Sequence, residues 1–103
     1  MIVELYGKKY EVTVKRSTYM KDDSLAIFLI DEKNGEPFAT LTVWISDPRP
    51  GFEYAYVDTN NCPWAEKFIE DNQLGENTGL MGFSGWCAYP LYRFNVDLIK
   101  EVW

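Results

Sequence analysis

Carboxylates and aromatic rings are the groups in this sequence that could do chemistry or bind a ligand, because histidine is absent. Without an imidazole there is no histidine general base, no Ser–His or Cys–His pair and no histidine zinc ligand. The remaining acid–base chemistry is that of a carboxylate pair, as in glycosidases, which need two acids at a defined separation across a cleft. Sixteen acidic residues in 103 bring some acids together by chance. The composition therefore predicts a non-enzymatic protein without a metal or other cofactor.

The two cysteines, Cys62 and Cys87, form no CxxC pair, and without histidine they cannot complete a zinc site. Cys62 lies near the start of a predicted helix, where the pKa of a thiol can be lowered. With no histidine to relay protons, an inert thiol is the simpler interpretation. The stretch Met1–Tyr6 lacks the basic and apolar regions of a signal peptide. We therefore expect a cytoplasmic protein with two free thiols.

Charge is distributed unevenly along the chain, whose formal net charge is −6. Residues 21–103 carry fourteen acidic side chains against six basic ones. An acidic domain without a basic stripe is a poor direct binder of nucleic acid or of an anionic membrane. The longest apolar run, Leu25–Ile30, is also too short to span a bilayer. The acids either keep the domain in solution or form a face that meets a protein partner with a basic surface.

Alternation of apolar and polar residues predicts strands in the first half of the chain. Lys9–Arg16 alternates as a half-buried strand does, and Leu25–Ile30 is apolar on both faces, as in a central strand. Phe38–Ile45 follows Asn34-Gly35, a pair typical of type I′ hairpin turns. We therefore expect one long hairpin of Leu25–Ile30 and Phe38–Ile45, joined by a type I′ or a closely related turn.

One main helix is predicted at about residues 63–73. Pro63 suits a first helical turn, and Gly75 is well placed to end the helix with a positive φ. Glycine-rich residues 79–85 are predicted to form a flexible loop. Asn95 could begin a short C-terminal helix from which three apolar side chains pack inward: Leu98, Ile99 and Val102.

These elements predict an α+β fold for a single domain over residues 1–103. An antiparallel sheet of five or six strands carries the main helix on one face. The polar junction Asp58–Trp64 joins a strand to that helix. Its side chains either cap the turn or line a ligand site beside Trp64.

The acidic side of the predicted helix is the first candidate for a contact surface. It presents three carboxylates, from Glu66, Glu70 and Asp71. The simpler interpretation is that these acids only solubilise an exposed helix face. A specific role would require that they meet a basic surface on a partner.

Large apolar side chains are the second candidate. Trp44 is expected to be exposed, because it lies on the strand face opposite Leu41 and Val43. Leu80, Met81 and Phe83 project from the predicted loop, where they could form an adaptable contact surface. The simpler interpretation is that most aromatic residues fill the core.

Three stretches of the sequence resemble a known family. They are Val57-Asp-Thr-Asn-Asn-Cys-Pro-Trp-Ala-Glu-Lys-Phe-Ile69, Tyr89-Pro-Leu-Tyr-Arg-Phe94 and Asn34-Gly-Glu-Pro-Phe-Ala-Thr-Leu-Thr42. Together they are similar to small bacterial proteins described only as a domain of unknown function, and the resemblance covers most of the chain. It implies an origin in Firmicutes and genes near mobile elements. It transfers no catalytic residue, because the family has none assigned.

Two classes of function follow as hypotheses. The first is a non-enzymatic, cytoplasmic interaction protein that serves a mobile element as an accessory or anti-defence factor through an acidic and aromatic surface. The alternative is a module that binds a small ligand or a carbohydrate on exposed aromatic rings. A salt-dependent affinity for a basic protein favours the first hypothesis, and a tryptophan fluorescence change with glycans or nucleotides favours the second.

Overall fold

The computed structural model describes residues 1–101, which form nine strands, one α-helix and one 3-10 turn. In chain order they are β1 (Ile2–Leu5), β2 (Lys8–Thr18), β3 (Leu25–Asp31), β4 (Pro37–Thr40), β5 (Thr42–Val43), β6 (Tyr54–Val57), α1 (Ala65–Asp71), β7 (Gly75–Ser84), β8 (Cys87–Phe94), the 3-10 turn Val96–Leu98, and β9 (Lys100–Glu101). Among these residues no helix is both long and apolar enough to cross a membrane.

The strands form two sheets, so the prediction of one sheet with five or six strands is wrong, although the α+β class is confirmed. The first sheet has the order β1-β2-β3-β4, and β9 adds to it by pairing in parallel with β2. The second sheet has the order β5-β6-β8-β7 and is antiparallel throughout. The helix prediction is confirmed in place, but α1 is shorter than residues 63–73.

Leu41 is the corner at which the chain passes from the first sheet to the second. Its N–H donates to the Ile27 carbonyl of β3 at 2.9 Å, and its own carbonyl accepts the Asp58 N–H just after β6 at 2.8 Å. The predicted strand Phe38–Ile45 is therefore divided into β4 and β5. The alternation of apolar and polar residues continues through the corner, which is why the sequence pattern does not reveal it.

The β3–β4 hairpin is confirmed, but its turn is not type I′. A type I′ turn needs positive φ at both central residues, whereas Gly35 has a φ of 73° and Asn34 has an ordinary one. The Asn34 side-chain oxygen accepts the Glu36 N–H at 3.0 Å. Gly35 donates its own N–H to the Asp31 carbonyl at 2.8 Å.

Replacing Gly35 with valine is expected to lower the free energy of unfolding by about 1–2 kcal/mol, because a β-branched residue is strained at positive φ. A Cβ at this position meets no atom within 4 Å, so the cost comes from the backbone alone. Glu36→Val is the matched control, since Glu36 lies in the same turn with ordinary φ. Equal urea midpoints for the two variants would contradict this assignment.

The main core is formed by side chains from both sheets and from α1. It includes Val12, Leu29, Ile69, Tyr92 and Phe94. A second, smaller cluster lies on the opposite face of the second sheet and contains Ile45, Tyr56, Tyr89 and Leu91. Because neighbouring strand residues face opposite ways, the second sheet is covered on both faces.

The end of the chain differs from the predicted C-terminal helix. It forms the single 3-10 turn and then β9, rather than a longer helix. Ile99 is buried as predicted, but Leu98 is 72% exposed, so its predicted inward packing is wrong. Val102, which was predicted to pack inward with them, lies outside the described residues.

Candidate interaction surface

The glycine-rich residues 79–85 belong mostly to a strand, so the prediction of a flexible loop is wrong. β7 is the edge strand of the second sheet and pairs with β8 along most of its length. Ser84 pairs with Cys87, which leaves Gly85 and Trp86 as a two-residue turn. The pairing is irregular between Asn77 and Met81, where β7 bulges. Glycines suggest a loop in the sequence, but here they permit a bulge, a tight turn and a close contact.

Four large apolar side chains of this hairpin are exposed, and together they form what we call the hairpin patch. Their exposed fractions are 58% for Leu80, 49% for Met81, 62% for Phe83 and 105% for Trp86. The first three were candidates from the sequence. Trp86 was not among them, because the aromatic residues that follow it, up to Phe94, are typical of a strand rather than of a turn. The sequence signal that could have found it is Gly85-Trp86 between two pairing runs, typical of a hairpin turn.

The outer edge of β7 is protected against the addition of another strand. The Asn77 side chain accepts the Gly79 N–H at 2.8 Å, and the Thr78 hydroxyl accepts the Leu80 N–H at 3.1 Å. The Asp47 carboxylate accepts the Phe83 N–H at 2.7 Å. These bonds occupy donors that a new strand would need, as bulges and covered edges do in other sheets. The hairpin patch is therefore a surface of side chains rather than an open backbone edge.

Residues 44–53, between β5 and β6, fix the position of the hairpin. A Cβ on Gly82 would lie 2.4 Å from Tyr56 Cε1 and 2.7 Å from Ile45 Cδ1. The Tyr56 ring is itself held, because its hydroxyl donates to the Pro48 carbonyl at 2.6 Å. This close packing, together with the hydrogen bond from the Phe83 N–H to Asp47, holds β7 and therefore the hairpin patch in a fixed position.

Glu66, the first predicted acidic contact residue, is half-buried and makes hydrogen bonds within the protein. Its carboxylate accepts the Tyr92 hydroxyl at 2.9 Å and the Asn77 side-chain amide at 3.3 Å. Burial of Tyr92, followed by this hydrogen bond, raises the pKa of the Tyr92 hydroxyl well above its ordinary value. Glu66 therefore provides the hydrogen-bond acceptor for the hydroxyl of Tyr92, a residue that is fully buried.

The other two acids of α1 are exposed but differ in their contacts. Asp71 forms an ion pair with Lys67 at 2.7 Å, one helical turn away, and this pair raises the pKa of the lysine. Glu70 has no ion pair with any of residues 1–101. It lies beside a shallow depression of about 260 Å³ near Glu76. The three carboxylates thus do not form one free acidic patch.

Trp44 is half-buried, so the expectation that it is exposed is wrong. The Lys21 ammonium lies 4.3 Å from the centre of its ring. Its indole nitrogen is buried and has no hydrogen-bond partner within the described part of the chain. The Trp44 ring lies against Lys21, whereas its neighbour Ile45 is the residue that packs near Gly82 of β7, so Trp44 is not counted in the hairpin patch.

The Asp58–Trp64 junction is organised by hydrogen bonds within the turn. Asp58 is buried, and its carboxylate accepts both the main-chain N–H of Asn61, at 3.2 Å, and the side-chain amide, at 2.9 Å. The Cys62 thiol is buried, and this burial, with the nearby Asp58 charge, raises its pKa. A raised pKa makes the thiol less reactive. Cys62 and Cys87 are both free thiols.

A shallow cleft of about 540 Å³ lies between β1 and α1. Trp64 and Phe68 line it with Val3, and the Lys67–Asp71 pair borders it. The two rings meet edge to face, with centroids 6.1 Å apart. This cleft is the place where an aromatic-lined ligand site could lie.

Comparison with known proteins adds a family relationship. A protein-family model described as "Domain of unknown function (DUF4313)" matches residues 13–103. The match runs from within β2 to the last residue and leaves β1 outside. No curated protein and no solved structure matches the chain.

Proposed function

The chain belongs to the domain-of-unknown-function family DUF4313, and from that premise we propose that it is a non-enzymatic protein-interaction domain that binds another polypeptide through the hairpin patch. The observation that carries the proposal is the exposure of four large apolar side chains on one hairpin. Between Glu76 and Arg93 the sequence has no charged residue. Several large exposed apolar side chains on one element, in a stretch without charges, are typical of a contact site.

The state of the acidic and nucleophilic groups favours binding over catalysis. Both oxygens of Asp58 accept hydrogen bonds from Asn61, and Glu66 accepts one from Tyr92. The Cys62 thiol is buried, with a raised pKa. A catalytic acid, base or nucleophile must instead be available to a substrate.

The proposed contact lies on the uncharged hairpin rather than on the acids of α1. The sequence-based hypothesis had those acids meet a basic partner surface, but Glu66 and Asp71 make contacts within the protein. The apolar side chains of the hairpin patch supply the contact instead, so the formed complex is expected to depend little on salt.

The setting that we propose is the cytoplasm of a bacterium, with a role as a mobile-element accessory or anti-defence protein. The support for a reducing compartment is the pair of free cysteines, one of which is half-buried. The support for the mobile-element role is the sequence resemblance described above.

Photo-crosslinking tests the proposed contact. Benzoylphenylalanine in place of Phe83 is expected to crosslink to a discrete polypeptide in the native host. The same probe in place of Phe52, an exposed aromatic residue outside the hairpin, is expected to give no such product. A Trp86→Asp change should abolish the crosslink, because it puts a charge into the apolar surface. A product that persists in that variant, or no product from position 83, would reject the proposal.

A ligand-binding module is the second candidate, and the aromatic-lined cleft beside Trp64 favours it. Stacking of a sugar or a base on Trp64 would change tryptophan fluorescence. Saturable quenching by a glycan or nucleotide that is lost in Trp64→Leu would support this candidate. Quenching that is unaffected by that substitution would exclude the cleft.

A further inference from the structure

We propose that the hairpin patch binds a second copy of this chain, so that two β7–β8 hairpins pack around a two-fold axis. The inference rests on the proposed function, because it names the occupant of the same patch. Three features support it: the absence of charge from the hairpin, the exposed apolar area of the patch and the protected outer edge of β7.

The absence of charge from the hairpin makes the patch compatible with a second copy of itself. Residues 77–92 contain no acidic or basic side chain. A charged group of another protein that was buried here would find no opposite charge, and burying an unpaired charge is costly. A second copy brings only uncharged side chains into the contact. The repulsion between two chains of charge −6 acts from outside the patch, where salt screens it over about 8 Å.

The exposed area is sufficient for a weak dimer. Taking roughly 200 Å² for the surface of each large side chain, the four exposed residues present on the order of 550 Å² per copy. Two copies would bury on the order of 1,100 Å², which is near the lower limit for a specific interface. An interface of this size is typical of a weak, reversible contact rather than an obligate dimer.

The protected edge of β7 determines how the two copies meet. The N–H groups of Gly79, Leu80 and Phe83 already donate to side chains, so the second sheet does not continue from one copy to the next. The copies instead contact each other through side chains. In a two-fold arrangement residue i contacts residue j, and j contacts i.

Trp86 fixes the register of this arrangement. The indole stands at the tip of the hairpin, fully exposed, and a flexible methionine side chain is a suitable surface for an aromatic ring. We place Trp86 of each copy on Met81 of the other, with the two hairpins antiparallel. This register brings residues 83 and 84 to the axis, so the two Phe83 rings lie next to each other.

Sedimentation equilibrium of the whole chain tests the inference. Between about 1 µM and about 1 mM, the wild-type mass is expected to rise reversibly from the 12.0 kDa of one chain toward twice that value. Added sodium chloride should leave the dimer unchanged or strengthen it, because only repulsion is screened. A chain that stays monomeric over this range overturns the dimer. The crosslink from position 83 then decides separately whether the patch binds a different polypeptide.

Complementary charges at position 83 test the two-fold geometry. Phe83→Glu and Phe83→Lys are each expected to weaken the dimer at least about tenfold, because like charges then meet at the axis. An equimolar mixture of the two variants should associate again, since opposite charges now face each other. Recovery in the mixture would also show that neither variant had simply failed to fold.

Leu98→Glu is the matched control for the charge variants. Leu98 is similarly exposed but lies beyond the end of β8 opposite the hairpin turn. This variant should dimerise like the wild type. A wild-type dimer that survives Phe83→Glu, or a mixture that does not associate, would overturn the proposed interface.

Discussion

Replacing Gly75 with alanine is expected to lower the free energy of unfolding by about 3 kcal/mol, a large change for a domain of this size. Gly75 begins β7 opposite Phe94. A Cβ at this position would lie 2.6 Å from the Arg93 carbonyl oxygen and 3.2 Å from Phe94 Cα. Both atoms belong to the main chain, so no side-chain rotation can relieve the collision.

The neighbouring backbone cannot retreat without losing other interactions. The Phe94 N–H donates to the Glu53 carbonyl at 2.8 Å, and the Asn95 N–H donates to the Leu74 carbonyl at 2.8 Å. The Phe94 side chain is buried in the main core. The lower entropy of the unfolded alanine variant offsets less than about 1 kcal/mol of this cost.

Gly51→Ala is the control for this prediction. A Cβ on Gly51 meets only side-chain atoms, the closest being a Glu53 carboxylate oxygen at 3.4 Å. This change is expected to alter stability by less than about 0.5 kcal/mol. Denaturant unfolding followed by circular dichroism gives both values. Similar midpoints for the two variants would show that β7 and β8 separate at Gly75 more easily than their hydrogen bonds indicate.

Reversing the charge of Glu66 is expected to destabilise the fold by about 2–3 kcal/mol, whereas the same change at Glu70 should cost less than about 0.5 kcal/mol. Glu66→Lys removes the acceptor of the buried Tyr92 hydroxyl and leaves that hydroxyl without its partner. Glu70 is exposed on the same helix and accepts no hydrogen bond from a described side chain. The pair therefore compares one substitution in two environments.

Glu66→Gln and alkaline pH each provide a further test of the hydrogen bond from the Tyr92 hydroxyl to Glu66. Glutamine keeps an acceptor oxygen, so the loss should fall to about 1 kcal/mol or less.

The pKa of Tyr92 is raised, first by burial and then by Glu66. A group with a raised folded pKa stabilises the protein fully below its unfolded pKa, which is 10.0 here. Stability should thus fall as pH rises above 10, and less steeply in Tyr92→Phe. Equal losses for Glu66→Lys and Glu70→Lys would contradict the role given to Glu66.

Because Glu66 is hydrogen-bonded within the protein and Glu70 is not, only one of them can be used to test an electrostatic contact with a partner. On the helical pattern, Glu66 belongs to the exposed acidic side together with Glu70 and Asp71. In the structure that side faces two environments, because Tyr92 reaches Glu66 across from β8 while Glu70 stays in solvent. Loss of binding in Glu66→Lys would therefore mix destabilisation with lost charge. Glu70→Lys alone changes the charge and leaves the fold intact.

The parts of the fold that depend on neighbouring residues were predictable, and those that depend on distant contacts were not. Pro63 pointed to the start of α1, and Asn34-Gly35 pointed to the β3–β4 hairpin. The corner at Leu41 was not predictable, because both sheets bury the same kind of residue. Gly75 was predicted to end the helix with a positive φ, but the residue with a positive φ is Gln73, at 55°. Gly75 is required instead because the main chain of Arg93 and Phe94 leaves no room for a side chain.

The candidate surface was predictable in part for a similar reason. Leu80, Met81 and Phe83 stand in a stretch without charges, and the sequence alone pointed to them as exposed apolar residues. The partial burial of Trp44 was not predictable, because Lys21, whose ammonium lies over the ring, is distant from it in sequence. The protected edge of β7 depended on Asp47, whose carboxylate reaches Phe83 from 36 residues away. Neither contact leaves a local pattern.

The corner at Leu41 ties the unfolding of the two sheets together. Its N–H and its carbonyl bond to different sheets, and the adjacent Thr42 hydroxyl accepts the Ile27 N–H at 3.1 Å. Opening either sheet at this point exposes the buried Leu41 side chain, which belongs to the core that both sheets share. Partial unfolding that melts one sheet and spares the other is therefore disfavoured. We therefore expect the amide protons of Leu41 and Asp58 to be among the slowest in the domain to exchange with solvent.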